Sequence, residues 1–322
     1  MGFRAVVEQA SGLDELYPLL ASNRFTAGWH KASRSLWEAP RTEYRPLHWR
    51  YQDAALALDR AGEWIGTDLA ERRNLVTFNP IEANDYASVR SLVAAYQMIK
   101  PGEDADAHRH TPAALRVVLH AEEEVYTVVD GVELPMATGD VLLTPGFTWH
   151  SHYNAGSSNA YWVDVLNVPM VQLLEPMFYE EHPDDKQPVL SREAEHPFRI
   201  PIDVRADVQT SVNDGHLVES LDVDQALPAM TLRRHRLSAN ASIVQRPTTA
   251  SRIFVAQVGH GSFTCGDGNW SWARGDVFVV PSWHAYVIEA HAGSVLLEVS
   301  DERALRKLGL FIDGDPTVAG TG

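Results

Sequence analysis

The chain repeats itself. Arg116 and Arg252 stand 136 positions apart, and the runs GDVLLTP at Gly139 and GDVFVVP at Gly275 share the same offset of 136. The two regions align without a gap between those landmarks. TPGFTWH then corresponds to VPSWH, two residues shorter, ending at His150 and His284. An internal duplication is the simplest account, and it restricts the chain to a fold built from two like units.

Each unit reads as short strands separated by turns. ALRVVLH, EVYTVVD, VELPM, GDVLLTP and AYWVDVL are rich in β-formers, and Asp130-Gly131 between two of them is a hairpin signal. Many short strands of this kind point to a barrel or a sandwich. The first 75 residues read differently, as irregular and helical: AALALDRAGEWI carries Leu56, Leu58 and Ile65 among good helix formers, while SRSLWEAPRTEYRPLHWRY reads as an aromatic arm laid over another surface. EPMFYEEHPDDKQPVLSREAEHP, acidic and proline-containing, reads as a connector. The expected organisation is a helical arm over 1–75, a metal-binding domain over 76–175, a connector over 176–225 and a degenerate second copy over 226–322.

The copies differ where chemistry is expected. In AHRHTPAALRVVLH, His108 and His110 project from one face of an extended chain while Arg109 turns away. A barrel can bring His150 beside them. Three neutral imidazoles suit Fe(II), Zn, Cu, Ni or Mn and leave coordination positions open, which favours catalysis over a structural site. The offset carries His108 and His110 to Val244 and Arg246, so the second copy keeps only His284, for which a structural role is expected.

Bulk properties exclude other classes. A formal charge of −16 disfavours nucleic acid and anionic membranes, both of which need clustered Lys and Arg. The single cysteine, Cys265, makes no internal disulfide and has no basic neighbour in FTCGDGNW to activate it. MGFRAVVEQASG lacks the pattern of a secretory signal, and no apolar run approaches the ~20 residues of a membrane helix. A cytoplasmic protein acting on small molecules is expected.

Five residues separate Gly102 from His108, five separate Gly139 from Pro145, and three separate His150 from Asn154. These spacings resemble the two motifs of the cupin superfamily, and the duplication resembles a bicupin. The resemblance implies an all-β-dominated fold of two double-stranded β-helix (jelly-roll) barrels with a partly helical N-terminal arm. YQMIKPGEDADAHRHTPAALRVVL, YTVVDGVELPMATGDVLLTPGFTWHSHYN, RGDVFVVPSWH and AGEWIGTDLAERRNLVTFNP, spread over roughly residues 36 to 300, resemble the gentisate 1,2-dioxygenase family, which includes salicylate and 1-hydroxy-2-naphthoate dioxygenases.

That resemblance implies that His108, His110 and His150 hold Fe(II). The substrate would be a small aromatic acid with an ortho-hydroxyl, opened by O2 between its carboxyl-bearing and hydroxyl-bearing carbons, in a homotetramer. Cupins often add a glutamate ligand four or five residues after the histidine pair; here those positions are Ala114 and Leu115, with Arg116 next. By family position Arg116 and Gln97 hold the substrate carboxylate, Arg72 is a second cationic contact, and His152 is a proton acceptor or hydrogen-bond donor near substrate and oxygen. Asp164 is an acidic group near the pocket that orients a histidine. Each has a plainer alternative: surface ion pairing for Arg72, a polar loop position for His152, and barrel-end hydrogen bonding for Gln97 and Asp164.

Asn167 in VLNVP, and Val93, Ala95 and Tyr96 in SLVAAYQ, depart from the pattern of gentisate-specific relatives near the pocket. Gentisate and a 5-substituted salicylate such as 5-nitrosalicylate therefore both stand as substrates. Two other classes remain open: a non-catalytic bicupin that binds or senses a ligand, and a cupin isomerase or hydrolase using another metal.

Overall fold

The computed structural model describes residues 2–30, 37, 39–67, 69–70, 72–206, 208–213 and 215–314. In it the runs read as strands form Ala114–His120, Val125–Val129, Val132–Pro135, Val141–Thr144 and Ala160–Leu166. Asp130 and Gly131 join the second and third of these with φ of 50° and 83°, the left-handed pair that a two-residue hairpin requires.

Two six-stranded sheets make the first barrel. One runs Arg199–Ile200, Val141–Thr144, Ala114–His120, Ala160–Leu166, Val93–Ile99, Arg73–Thr77; the other runs Tyr179–Glu181, Asp104–His110, His150–Asn154, Val125–Val129, Val132–Pro135, Ser191–Arg192. The second barrel has a seven-stranded sheet, Leu47–Trp49, Val277–Val280, Arg252–Val258, Ser294–Ser300, Thr231–Leu237, His216–Leu221, Val208–Asn213, and a four-stranded sheet, Ser242–Gln245, Tyr286–Ala290, His260–Cys265, Gly268–Ala273. The strand-dominated pair of jelly rolls expected from the duplication is the fold the chain adopts. Strands also form at Leu47–Trp49 and Arg73–Thr77, inside the stretch read as an arm, and at Tyr179–Glu181, Ser191–Arg192 and Arg199–Ile200, inside the stretch read as a connector.

The helices Phe3–Val7 and Leu13–Ser22 belong to a compact unit of their own, Met1–Arg41. Helix Tyr51–Gly62 belongs to the larger unit, Thr42–Gly322. Of the aromatic run 33–51, residues 33–36 and 38 lie outside the described residues. No helix among the described residues is long and apolar enough to cross a membrane.

Continuous apolar runs such as ALRVVLH arise because their strands are buried on both faces. Along Ala114–His120, Leu115, Val117 and Leu119 enter a core shared with Ile253, Val255, Val277, Val279, Leu297 and Val299 of the other barrel, whereas Val118 points into its own barrel with Trp162 and Leu142. The second barrel repeats this. Ile253 and Val255 face the shared core, while Phe254 and Ala256 line their own interior.

The GD pair opens a turn in each barrel and fastens a strap there. Gly139 and Gly275 have φ of 94° and 89°, and a Cβ on Gly275 would lie 2.5 Å from Tyr51. Asp140 accepts from Arg199 Nε at 2.8 Å and from Ile202 N at 3.2 Å. Asp276 meets His48 Nε2 at 2.8 Å and accepts from Tyr51 N at 2.8 Å. Thus Arg199–Ile200 pairs onto Val141–Thr144 and Leu47–Trp49 pairs onto Val277–Val280 in the same manner.

Asp301 ties the loops of both barrels, accepting from the Ser91 hydroxyl and from Ser251 N at 2.8 Å. Burial pushes its carboxyl up to about 6 against the opposing pull of those donors. A folded-state proton affinity above the unfolded value contributes stability that is complete below about pH 4 and is lost as pH rises through about 6. Asp301→Asn keeps an acceptor for Ser251 and a partner for Ser91 without the titration. The stability of the variant relative to wild type is expected to rise between about pH 3 and about pH 7, by up to about 3 kcal/mol. Denaturant melts across that range test it, and a flat difference counts against it.

Candidate metal centre

The site lies where the two sheets of the first barrel meet. A bulge between Ala105 and His108 resets strand Asp104–His110 so that His108 stands directly across from His150. Ring centroids are 4.3 Å apart for His108 and His150, 4.8 Å for His110 and His150, and 5.6 Å for His108 and His110. One nitrogen from each ring lies within 4.8 Å of those of the other two. Arg109 turns to the other face, as the alternation requires, and its Nε donates to Glu180 at 2.6 Å.

Backbone carbonyls set the tautomers. His108 Nδ1 lies 3.2 Å from Asp106 O, His110 Nδ1 2.7 Å from Pro112 O and His150 Nδ1 3.0 Å from Thr148 O. A carbonyl only accepts, so each Nδ1 carries the hydrogen and each Nε2 keeps its lone pair for an ion. Burial lowers the pKa of His110, and it holds His150 well below the usual range with help from the other two rings. Both shifts favour the neutral ring that metal ligation needs. Among the described residues no carboxylate or cysteine joins the group, and the fourth-ligand positions are Ala114 and Leu115.

The facing sheet carries a buried polar network. Arg116 forks onto Asp164, with Nε to Oδ1 at 2.9 Å and Nη2 to Oδ2 at 2.8 Å, and lies 4.6 Å above the Trp162 ring. Arg116 and Asp164 are direct cross-strand neighbours, which is why the pair forms. Gln97 Nε2 donates to Asp164 Oδ2 at 2.8 Å, and Gln97 Oε1 accepts from Trp162 Nε1 at 3.2 Å and from Arg72 Nε. Arg116 also meets His152, with Nη1 2.6 Å from Nδ1. Since a guanidinium only donates, His152 presents a lone pair to it. Burial, then Arg116 and Arg72, hold His152 well below the ordinary histidine range.

The sequence-derived residues Arg72, Gln97, Arg116, His152 and Asp164 are thus brought together, with two corrections. Asp164 orients no histidine among the described residues; it holds Arg116, which in turn faces His152. Tyr96 is not near the pocket: strand alternation turns it into the inter-barrel core, where its hydroxyl donates to Trp49 O at 3.1 Å and Gly275 O at 3.0 Å. Asn167 holds the position before helix Val168–Leu174 without a side-chain capping bond, and its Oδ1 accepts instead from Ala113 N at 2.9 Å. His120 is exposed beside Ser158. The Cys265 thiol is buried, and burial pushes it up to about 12, which makes it a poor nucleophile.

Sequence reading missed several groups. Thr127 Oγ1 lies 2.9 Å from His152 Nδ1 while donating to Ser151 O. Tyr179 stacks on His108 at 5.5 Å, because Tyr179–Glu181 adds an edge strand to the histidine strand. Three residues in an acidic, proline-bounded run give no β-signal. Trp162 was visible as part of a strand, but not as the surface under Arg116.

Residues 95–166 match the family described as Cupin domain. Over 93% of its length the chain is 29% identical to a 5-aminosalicylate 1,2-dioxygenase of Comamonas sp, covering 89% of that protein. It is 28% identical to gentisate 1,2-dioxygenase 1 of Aquipseudomonas alcaligenes, with 92% of this chain and 94% of that one aligned. The fold superposes on salicylate 1,2-dioxygenase of Pseudoaminobacter salicylatoxidans in its gentisate adduct with a TM-score of 0.83, at 23% identity over 94% of this chain and 93% of that one.

The buried ion pair makes a stability prediction. Arg116→Met leaves the Asp164 carboxylate uncompensated and is expected to cost about 3–5 kcal/mol. Adding Asp164→Leu should recover at least half of that loss in denaturant melts.

Proposed function

Since the chain belongs to the gentisate/salicylate 1,2-dioxygenase family, a family of two-barrel cupin enzymes, we propose that it is a ferrous ring-cleaving dioxygenase whose metal is held by His108, His110 and His150. Catalysis is assigned to the barrel within 76–175, and the copy within 226–322, with Val244 and Arg246 in place of the histidine pair, is assigned no metal. The observation that carries this reading is the cluster of three imidazoles, their Nδ1 atoms tied to backbone carbonyls, beside a buried polar network.

Bound iron would supply the redox chemistry that lets O2 react with a closed-shell aromatic ring, and coordination positions for a carboxylate and an ortho-hydroxyl. The protein's own contribution is orientation. Arg72, Gln97 and Arg116 form the donor wall for the substrate carboxylate, and Asp164 fixes the plane of Arg116 so that its hydrogens point in set directions. His152, kept neutral, is the hydrogen-bond partner for the hydroxyl side of the ring. Both atoms of O2 enter the product as the bond between the carboxyl-bearing and hydroxyl-bearing carbons breaks; with gentisate the product would be maleylpyruvate. Val93 and Ala95, on the face of Gln97, leave room for a ring substituent. The substrate assigned is gentisate or a 5-substituted salicylate, 5-nitrosalicylate included, and the working state is a homotetramer.

Oxygen uptake by iron-loaded enzyme is expected with at least one member of a panel of gentisate, salicylate, 5-nitrosalicylate and 5-halosalicylates; silence with all of them refutes the assignment. His108→Ala should lose both retained iron, by elemental analysis, and uptake. Arg72→Gln should keep iron and raise KM about tenfold or more with a smaller change in kcat.

A further inference from the structure

The duplication places a second polar constellation inside the other barrel. Arg252 stands where Arg116 does, Glu298 where Asp164 does, His235 where Gln97 does and Tyr286 where His152 does. The contacts are rebuilt accordingly: Arg252 Nε donates to Glu298 Oε1 at 3.2 Å, and His235 Nε2 lies 2.9 Å from Glu298 Oε2. What is absent is the metal-binding edge. Val244 replaces His108, and Arg246 is drawn to Asp313 at 3.0 Å.

This constellation lines a cavity of about 420 Å³, a volume ordinary for small-ligand sites. Two of its carboxylates are already engaged: Glu298 takes Arg252, Arg233 and His235, and Glu302 takes Arg233 and Arg306. Two of its donors are not. Tyr286 is 3% exposed, and its hydroxyl has no hydrogen-bond partner among the described residues. Arg252 gives Nη1 to Thr248 at 2.9 Å and to Ala250 O at 3.1 Å, and its Nη2 has no partner among the described residues. The Tyr286 hydroxyl and Arg252 Nη2 are thus the donors on this lining that a ligand's acceptor oxygens can take. Val218, Ile243 and Phe311 supply an apolar wall.

We propose that the second barrel carries a metal-independent binding site for a small monocarboxylate with an apolar body, its carboxylate held by Arg252 and Tyr286. Without the histidine pair it binds and does not turn over its ligand, so it is a product or effector site distinct from the metal centre.

Calorimetric titration of the full-length iron-loaded protein with 3-fluorobenzoate, which lacks the ortho-hydroxyl, tests this. Saturable binding should persist in His108→Ala and Arg72→Gln. Tyr286→Phe, which keeps the ring, should weaken it about tenfold. Val244→Trp should abolish it by filling the mouth; Val244 is 73% exposed, so this variant disturbs no core. Oxygen uptake by both second-barrel variants should match wild type, and that assay reports on the first barrel whatever the titration shows. The proposal is overturned by absence of saturable binding, or by binding that is lost with the first-barrel variants or unmoved by the second-barrel pair.

Discussion

Burial of the central strands on both faces is the constraint from which the site follows. Strand Ala114–His120 gives one face to the core between the barrels and the other to its own interior, so neither face offers water to a charge. Arg116 is tolerable there only with a carboxylate in reach, and Asp164 sits directly across the ladder. Trp162 supports the guanidinium from below, and Gln97 closes the free side of Asp164. One sheet thereby holds a rigid polar wall. The other holds three imidazoles fixed by backbone carbonyls. The two meet at the contact between Arg116 and His152, so the wall and the metal-facing rings keep their spacing without a mobile loop.

The duplicated barrels show how one scaffold was filled in two ways. Val118, Thr127 and Leu142 in the first correspond to Phe254, Phe263 and Phe278 in the second. Those phenylalanines pack together, with centroids 5.2 Å apart for Phe254 and Phe278 and 4.7 Å for Phe263 and Phe278. In the first barrel Val118 and Leu142 pack with Trp162, and in the second the three rings fill the corresponding core. His284 keeps the same tie as His150, Nδ1 to the carbonyl two residues before it, at 3.0 Å. A tautomer-setting contact has thus outlasted the cluster it would have served, which agrees with a lost site better than with one newly forming.

Much of this was legible in the chain. The repeat offset, the alternation around His108 and the Asp130-Gly131 turn are local or periodic signals, and each describes what the structure contains. What stayed hidden depends on register between distant segments. Tyr179 reaches His108 only because a three-residue edge strand forms, and Leu47–Trp49 joins the second barrel through Asp276 rather than through any propensity of its own. Tyr96 is placed near the pocket by the family pattern before Gln97; alternation puts adjacent residues on opposite faces, and that rule alone removes it. Asp164 was read as a partner for histidine, and only the cross-strand register shows that Arg116 claims it.

That claim changes what Arg116 can do for an anionic substrate. Paired with Asp164, it contributes donor hydrogens in fixed directions but little net charge, so long-range attraction for a carboxylate cannot come from it. Arg72, less buried, meets the same network through Gln97. In the proposed function, Arg116 sets the angle at which the ring is presented. That role accounts for a buried arginine where an apolar side chain would be more stable: an apolar replacement would spare the desolvation cost of the ion pair and lose the guanidinium donors that face His152.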